Sequence, residues 1–177
     1  KKKYFGIDLS VEQIKVCESK NLNAQAIALA EVKEKFDCAT AIFDVLNYIP
    51  KKELKTFIKE TNLVLNQGAY FIFDVNSLFG FEEIAQGCIT IDVEDKFIAI
   101  DANFENNKLQ TDITFFEKQE NGMFSKESDS IIQEYHSKEF LSKVLKECNF
   151  EIVDIKEFNL HTDDNADKLI FICKKTA

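Results

Sequence analysis

The sequence predicts an α/β fold, a mostly parallel sheet into which an antiparallel meander is inserted. In the first half of the chain, strand and helix patterns alternate, which is typical of a parallel sheet with helical crossovers. Two near-continuous apolar runs, at 36–46 and 69–75, are typical of strands buried on both faces. From 88 to 132 apolar and polar residues alternate, which predicts antiparallel strands. We expect one domain, 1–177, that includes the meander.

The first elements are predicted from short local patterns. Residues 4–9 form an apolar run that predicts a strand. Ser10 and Gln13 have the spacing of a capping box, which predicts that a helix begins there, and Asn21 is expected to end it. A weak strand is predicted at 25–29. The apolar face of the helix is predicted to consist of Val11, Ile14 and Cys17.

A second helix is predicted between the two buried strands. Pro50 suits its first turn, where the missing backbone N–H costs nothing. Gly68 is the expected left-handed residue at its end. The apolar face of this helix is predicted to consist of Leu54, Phe57, Ile58, Thr61 and Leu65.

A third helix and two strands are predicted to close the fold. Ser137 is expected to cap the helix, and Asn149 to take the left-handed position after it. Residues 150–158 and 168–174 form two apolar runs that predict the last strands. The loop at 161–167, which holds His161 and three aspartates, is expected to lie in solvent.

Charge and cysteine content exclude several classes of protein. The chain has 22 basic and 31 acidic residues, a net charge of −9, and every basic residue is lysine. An acidic chain without arginine is poorly suited to bind nucleic acid. The five cysteines are dispersed, which predicts neither a disulfide framework nor a zinc site and fits a reducing, cytoplasmic setting. No apolar run approaches the ~20 residues of a membrane helix, so no membrane partner is expected.

Polar residues stand where the predicted parallel strands end. Asp8 follows the first strand, Asp44 ends the run at 36–46, and Asp74 and Asn76 end the next one. Ligands of open α/β sheets bind at the carboxyl ends of strands, where a carboxylate can accept both hydroxyls of a ribose. Each aspartate alone could equally be a cap or turn residue. Together, and in this order, they predict a binding crevice.

Three segments carry a resemblance to a known family. GIDLSVEQI, FDCATAIFDVLNYI and LVLNQGAYFIFDVNS are similar to the second-, fourth- and fifth-strand motifs of class I S-adenosylmethionine-dependent methyltransferases. Within the second segment, residues 44–48 are similar to the D-x-L-N-Y signature of a bacterial group with small-molecule acceptors. That group inserts an antiparallel sheet after the fifth strand, as predicted here for 88–132. It then ends with a helix and two strands, and its last strand is antiparallel.

The resemblance implies methyl transfer from S-adenosylmethionine to a small-molecule acceptor, without a metal. It places the cofactor at Asp8, Leu9, Glu31, Phe43, Asp44 and Val45. It places the acceptor at Asn47, Tyr48 and Asn76, and makes Tyr135 and His136 candidates for catalysis. From the residues alone, His136 could be a general base or equally a surface histidine beside a helix start. The cofactor brings the reactivity, so no triad or metal cluster is expected.

The glycine-rich loop that follows the first strand of that family has no counterpart in this sequence. We therefore expect that a preceding segment supplies that central strand and loop, or that another chain fills the gap. We also expect residues 1–177 alone to aggregate and to bind the cofactor poorly. Two other functions stay open: a methyltransferase-like module that binds without catalysis, and a nicotinamide dehydrogenase. The G-x-G-x-x-G motif expected of such a dehydrogenase is missing, and the antiparallel ending fits it poorly.

Overall fold

A computed structural model of the chain describes residues 4–160 and 165–176. Its helices are α1 (Val11–Ser19), α2 (Lys51–Leu63) and α3 (Lys138–Glu147). Its strands are β1 (Gly6–Asp8), β2 (Ala24–Ala26), β3 (Phe36–Ala41), β4 (Leu65–Asn76), β5 (Gly87–Val93), β6 (Lys96–Glu105), β7 (Lys108–Lys118), β8 (Phe124–Glu134), β9 (Phe150–Phe158) and β10 (Lys168–Lys175). Short single helical turns occupy Leu29–Glu31, Val45–Tyr48 and Gly80–Ile84. Within the described residues, no helix has the length and hydropathy needed to cross a membrane.

The strands form three sheets. β1 pairs in parallel with β2, and β3 pairs in parallel with β4. β10 runs antiparallel between β4 and β9, which gives the order β3-β4-β10-β9. β1 and β3 therefore belong to different sheets. Their starting ends meet through Phe5 and Phe36, whose rings stack with centroids 6.3 Å apart.

The predicted antiparallel meander is confirmed, with bounds slightly wider than expected, from Gly87 to Glu134. Its four strands follow one another in chain order and in unbroken register. Asn106 and Asn107 form the two-residue turn between β6 and β7, with φ angles of 54° and 62°. Such turns match the twist of antiparallel strands and favour asparagine.

The core lies between the β3-β4-β10-β9 sheet and helices α2 and α3. Phe73 and Phe171 are partners across β4 and β10, and their rings stack 4.9 Å apart. The helices contribute buried side chains at the spacing expected of helical faces, namely Leu54, Ile58, Leu141 and Leu145. Burying each such side chain stabilises the fold by roughly 1.5–3 kcal/mol.

The strand predicted at 36–46 is shorter and more open than expected. β3 ends at Ala41, because the backbone turns left-handed at Phe43 and Asp44. The prediction that this strand is buried on both faces was wrong for most of its residues, and Cys38 is exposed. β3 is the edge strand of its sheet, with β4 as its only strand neighbour among the described residues. An edge strand with a single neighbour has fewer side chains packed over it.

Two local predictions were wrong in detail. Gly68 does not end α2; it lies inside β4 with φ +75°, where the pairing of β3 with β4 shifts register. A residue with positive φ suits such a bulge, and glycine adopts it without steric cost. At α1 only half of the capping box forms. The Ser10 hydroxyl accepts the N–H of Gln13, but the N–H of Ser10 is taken by Asp8 at 2.7 Å.

Asp167 corrects the expectation that the loop at 161–167 lies in solvent. Asp167 is buried, and its carboxylate accepts the N–H of Leu160 at 3.0 Å. Its carbonyl accepts the N–H of Ser77, just past the end of β4, at 2.9 Å. A Cβ at position 80 would stand 2.3 Å from that carbonyl, so Gly80 permits this close approach. His161 lies outside the described residues.

Candidate functional site

The segment that follows β3 has an unusual backbone. Phe43 and Asp44 have φ angles of 66° and 61°, and the tight helical turn Val45–Tyr48 follows. Left-handed backbone at a residue other than glycine costs about 1–2 kcal/mol, and it is uncommon at a bulky residue such as phenylalanine. The strand end also presents Phe43, whose side chain is 81% exposed. An apolar ring held open to solvent at a strand end is available to a ligand.

Lys168 joins the two aspartates at this edge of the sheet. Its ammonium Nζ lies 3.1 Å from Asp74 Oδ2 and also contacts Asp44 Oδ1. The three side chains are 12%, 8% and 19% exposed for Lys168, Asp74 and Asp44. The backbone N–H of Asp44 also donates to Asp74 Oδ2, at 3.4 Å. We call these three residues the ion cluster.

The charges of the ion cluster are unevenly balanced, because one ammonium serves two carboxylates. Burial raises the pKa of Asp44, the Lys168 ammonium opposes that shift, and the Asp74 charge adds to it. Burial disfavours the charge on Lys168, but its bonds to Asp44 and Asp74 prevail and raise its pKa. Asp74 Oδ1 is buried and has no hydrogen-bond partner among the described residues. The cluster therefore keeps unused capacity to accept a hydrogen bond.

Asn47 ties three elements together next to the ion cluster. Its side chain is buried, and its Nδ2 donates to the carbonyl of Glu134 at 2.9 Å. Its Oδ1 accepts the N–H of Asn76 at 3.0 Å. Glu134 continues the connection, since its carboxylate accepts the N–H of Lys51 at 2.6 Å, at the start of α2. The structure thus brings Asn47 and Asn76 together, with the amide of Asn47 used in internal bonds.

His136 lies beneath this segment, not on the surface. It is 1% exposed, and its Nε2 is 3.0 Å from the carbonyl of Leu46 and 3.1 Å from that of Ile49. Carbonyls only accept, so Nε2 carries the hydrogen. Nδ1 is buried without a partner within the described part of the chain, and burial lowers the pKa of the ring. His136 is therefore neutral and fixed against residues 46–49.

The two tyrosines occupy different places. Tyr48 is half exposed, and its pKa is raised by burial and by the nearby Asp44 charge. Tyr135 sits at the base of the meander, with its ring edge-on to Phe81 at 6.1 Å. Burial raises the pKa of Tyr135, and the charges of Glu139 and Glu82 add to the effect. Tyr48 therefore lies near the ion cluster, and Tyr135 packs elsewhere, against Phe81.

The residues expected to bind on the β1 side make local contacts. Asp8 Oδ1 accepts the N–H of Ser10, and Leu9 beside it is 80% exposed. Glu31 accepts the N–H of Ala28 at 2.9 Å and lines a cleft of about 290 Å³ beside β1 and β2. No described hydrogen bond or ion pair links Asp8 or Glu31 to the ion cluster. Their contribution to one shared site stays a prediction.

Lys168 and Glu134 were not predicted as site residues from the sequence. Lys168 starts β10, and its register partner in β4 is Asn76. An antiparallel strand beside β4 must begin where β4 ends, so a lysine at its start falls next to the aspartates there. The position of Lys168 at the start of a predicted strand was visible in the sequence, but its closeness to the aspartates could be predicted only with knowledge of the strand order. Glu134 had no comparable signal.

Comparison with known proteins shows which solved structures share this fold. No family model and no curated protein matches this sequence. Among solved structures, an S-adenosylmethionine-dependent methyltransferase from Clostridium acetobutylicum is 22% identical, with a TM-score of 0.82 over 99% of this chain and 76% of that one. An amino pentose methyltransferase from Micromonospora echinaspora, solved with S-adenosylmethionine bound, is 13% identical, with a TM-score of 0.71 over 97% and 73%. A sugar N-methyltransferase from Streptoalloteichus is 12% identical, with a TM-score of 0.76 over 98% and 71%. The chain has the α/β fold of S-adenosylmethionine-dependent methyltransferases.

Proposed function

We propose that this protein transfers a methyl group from S-adenosylmethionine to a small-molecule acceptor. The observation that carries the proposal is the ion cluster beside the left-handed Phe43–Asp44 backbone, at the carboxyl end of β3, in a fold shared with such enzymes. Ligands of open α/β sheets bind at this edge. The acceptor group we favour is an amine on a sugar-like molecule, since two of the similar structures are named for such acceptors.

The residues on either side of the edge fit an adenosine-containing cofactor. Asp8 uses one carboxylate oxygen locally, which leaves the other to accept from a ribose hydroxyl. Leu9 and Phe43 are 80% and 81% exposed and offer apolar surface to a flat base or a methionine chain. Glu31 lines the cleft beside β2 and is assigned to the same ligand, and Val45 adds backbone contacts.

The cofactor supplies an activated methyl on a sulfonium, so the protein mainly aligns the reactants. In this proposal Asp44 and Tyr48 face the reactants, and Lys168 holds the Asp44 carboxylate in place. Asn47 and His136 are positioning residues that fix residues 44–49 from beneath, since both are buried and bonded to backbone. Asn76 acts through its backbone bond to Asn47. Tyr135 stays a candidate on the acceptor side.

The other candidate is a binding module without catalysis. The separation of β1 and β3 into different sheets favours it, because the residues assigned to the cofactor then stand on two sheets that share no strand pairing among the described residues. A protein of this kind would bind a nucleoside or a partner and transfer nothing.

A methyl-transfer assay separates the two. The intact protein is incubated with methyl-labelled S-adenosylmethionine and a panel of amino sugars and other small amines, and labelled products are resolved by mass. We expect transfer to at least one acceptor, reduced at least tenfold in Phe43→Ala and unchanged in Phe124→Ala, an exposed phenylalanine in the meander. Cofactor binding without transfer to any acceptor would favour the binding module.

A further inference from the structure

Residues 44–51, which we call the site segment, are held in place by the end of the meander. Glu134, the last residue of β8, holds the segment at two points. Its carbonyl accepts from the Asn47 side chain at 2.9 Å, and its carboxylate accepts the N–H of Lys51 at 2.6 Å. His136, two residues farther on, contacts two carbonyls of the same segment. The position of the site segment therefore depends on the end of β8.

Helix α2 takes its N-terminal cap from a distant residue. Pro50, which precedes the helix, has no side-chain acceptor and cannot satisfy the free N–H groups of the first turn. The Glu134 carboxylate, 83 residues away along the chain, accepts the N–H of Lys51 instead. A negative charge is favourable at this place, because the N-terminus of a helix carries a partial positive charge. The start of α2 is thus tied to the meander.

Little conformational freedom separates the start of α2 from Tyr48. Ile49 and Pro50 alone lie between Tyr48 and Lys51, and the proline ring restricts the φ angle of Pro50, which is −55°. A residue before proline is restricted to extended backbone, which Ile49 adopts with φ −92° and ψ 120°. A displacement of Lys51 is therefore passed on to Tyr48.

The contact between Glu134 and Lys51 is a hydrogen bond to the backbone. The ammonium of Lys51 points to a different neighbour, since its Nζ lies 4.5 Å from the centre of the Phe140 ring in α3. The Phe140 ring in turn lies 6.0 Å from the ring of His136. A neutral side chain with a well-placed oxygen can accept from a backbone N–H, so glutamine can replace Glu134 in this bond.

We propose that Glu134 is a positioning residue for methyl transfer, which caps α2 and thereby fixes Tyr48 and the site segment. This inference rests on the proposed function, in which Asp44 and Tyr48 face the reactants. The Glu134 carboxylate is occupied by the N–H of Lys51, so Glu134 acts through the backbone and not by contact with the reactants. Tyr135 directly follows Glu134, so the same bond sets this acceptor-side candidate against the site segment.

Loss of the cap should act locally. Leu54 and Ile58, farther along α2, are completely buried in the core and anchor the helix there. Helix ends open at a much lower free energy than the packed core does. Without the Glu134 carboxylate, we therefore expect the first turn of α2 and the site segment to loosen while the protein stays folded.

Calorimetry with S-adenosylhomocysteine, the demethylated form of the cofactor, tests this role without turnover. Glu134→Ala should bind it about fivefold more weakly than wild type, the scale of one net hydrogen bond. Amide hydrogens of residues 45–54 should also exchange faster in this variant. Glu134→Gln should restore affinity to within about twofold, because its oxygen can accept the N–H of Lys51. The matched control Glu127→Ala removes an exposed carboxylate from the same strand and should behave like wild type.

Circular dichroism verifies that each variant is folded, and three results would then overturn the proposal. Unchanged hydrogen exchange in Glu134→Ala would show that the carboxylate does not hold the site segment. Faster exchange with unchanged affinity would make Glu134 a structural residue only. A glutamine variant as weak as the alanine variant would make the charge, not the placed oxygen, responsible.

Failure of the proposed function gives a different result. Wild-type protein that binds no S-adenosylhomocysteine would overturn the proposed function and, with it, the role of Glu134 in the reaction. Hydrogen exchange would still show, in that case, whether Glu134 caps α2. Weaker binding in Glu134→Ala, restored in Glu134→Gln and unaffected in Glu127→Ala, supports the proposal.

Discussion

Asn47 Nδ2 donates to the carbonyl of Glu134 at 2.9 Å, and this bond fastens the segment after β3 to the last strand of the meander. The two residues are far apart in sequence, so the bond is a long-range tie. The same amide accepts the N–H of Asn76 through Oδ1. One buried side chain therefore sets the relative positions of two sheets beside the candidate site.

Replacing Asn47 by alanine should destabilise the protein by about 2–4 kcal/mol. The substitution removes both bonds and leaves a partly buried carbonyl and a partly buried N–H without these partners. Urea unfolding provides the measurement. Asn103→Ala, at an exposed position on β6, is the control and should change the free energy of unfolding by less than about 0.5 kcal/mol. Equal effects of the two substitutions would show that the Asn47 tie contributes little.

Replacing Lys168 should lower the free energy of unfolding more than Asn47→Ala does. Lys168→Met leaves the partly buried carboxylates of Asp44 and Asp74 without a cation, and we expect a loss of about 3–5 kcal/mol. Adding Asp74→Asn should restore part of it, because one of the two like charges is then gone. The control Lys156→Met breaks an exposed pair with Asp154 at 3.0 Å and should cost less than about 1 kcal/mol. Thermal and urea unfolding of the wild type, Lys168→Met, Asp74→Asn and the double variant test the cycle, and Lys156→Met is measured alongside.

The pH dependence of the stability of Lys168→Met follows from the pKa of Asp44. Burial raises the pKa of Asp44 even with Lys168 present. A carboxyl whose pKa is raised in the folded state lowers stability as pH rises. The deficit of Lys168→Met should therefore be larger near neutral pH than in mild acid. A deficit independent of pH would mean that lost packing, not charge, causes it.

His136 should make the fold sensitive to mild acid. Burial lowers the pKa of His136 below its usual value of about 6.5. Just below that pH, the histidine is protonated in the unfolded chain and still neutral in the folded chain. The stability it contributes is present above about pH 6.5 and is lost as pH falls, by up to about 1.4 kcal/mol per pH unit. Unfolding free energies between about pH 8 and 5.5 measure this slope.

Two histidine variants identify the source of that slope. The sequence contains two histidines, so His136→Gln and His161→Gln separate their contributions. The slope below about pH 6.5 should flatten in His136→Gln and persist in His161→Gln. The opposite pattern would contradict a neutral, buried His136.

The patterns in the sequence were sufficient for most elements but not for the site. The meander follows from a periodicity of 2, and most of the buried face of α2 follows from a periodicity of 3.6, although Leu65, predicted on that face, begins β4. The left-handed turn at Phe43 and Asp44 carries no glycine. The contacts that hold this segment are hydrogen bonds to residues far away in sequence, from the Asp44 N–H to Asp74 and between the Asn47 amide and the backbone of Glu134 and Asn76. Asp167 looked like loop material and is buried by contacts made with the end of β4.

Strand order was the missing information for the ion cluster. Asp44 and Asp74 were recognisable as residues at strand ends, but their shared cation comes from Lys168, 124 and 94 residues away along the chain. His136, a candidate for catalysis in the sequence, shows a related limit. A lone histidine before a helix start gives no sign, in sequence, of whether backbone carbonyls will surround it.

Calorimetric titration of S-adenosylmethionine into the intact protein tests the proposed function most directly. We predict binding at one site, weakened about 10- to 150-fold in Asp8→Ala, which corresponds to roughly 1.5–3 kcal/mol for hydrogen bonds to a charged group. Asp8→Asn keeps an oxygen that can accept the N–H of Ser10 and should still bind more weakly, whereas Asp92→Ala, at an exposed position on β5, should bind like wild type. A folded protein that takes up no S-adenosylmethionine, or that binds it equally well without Asp8, would contradict the account.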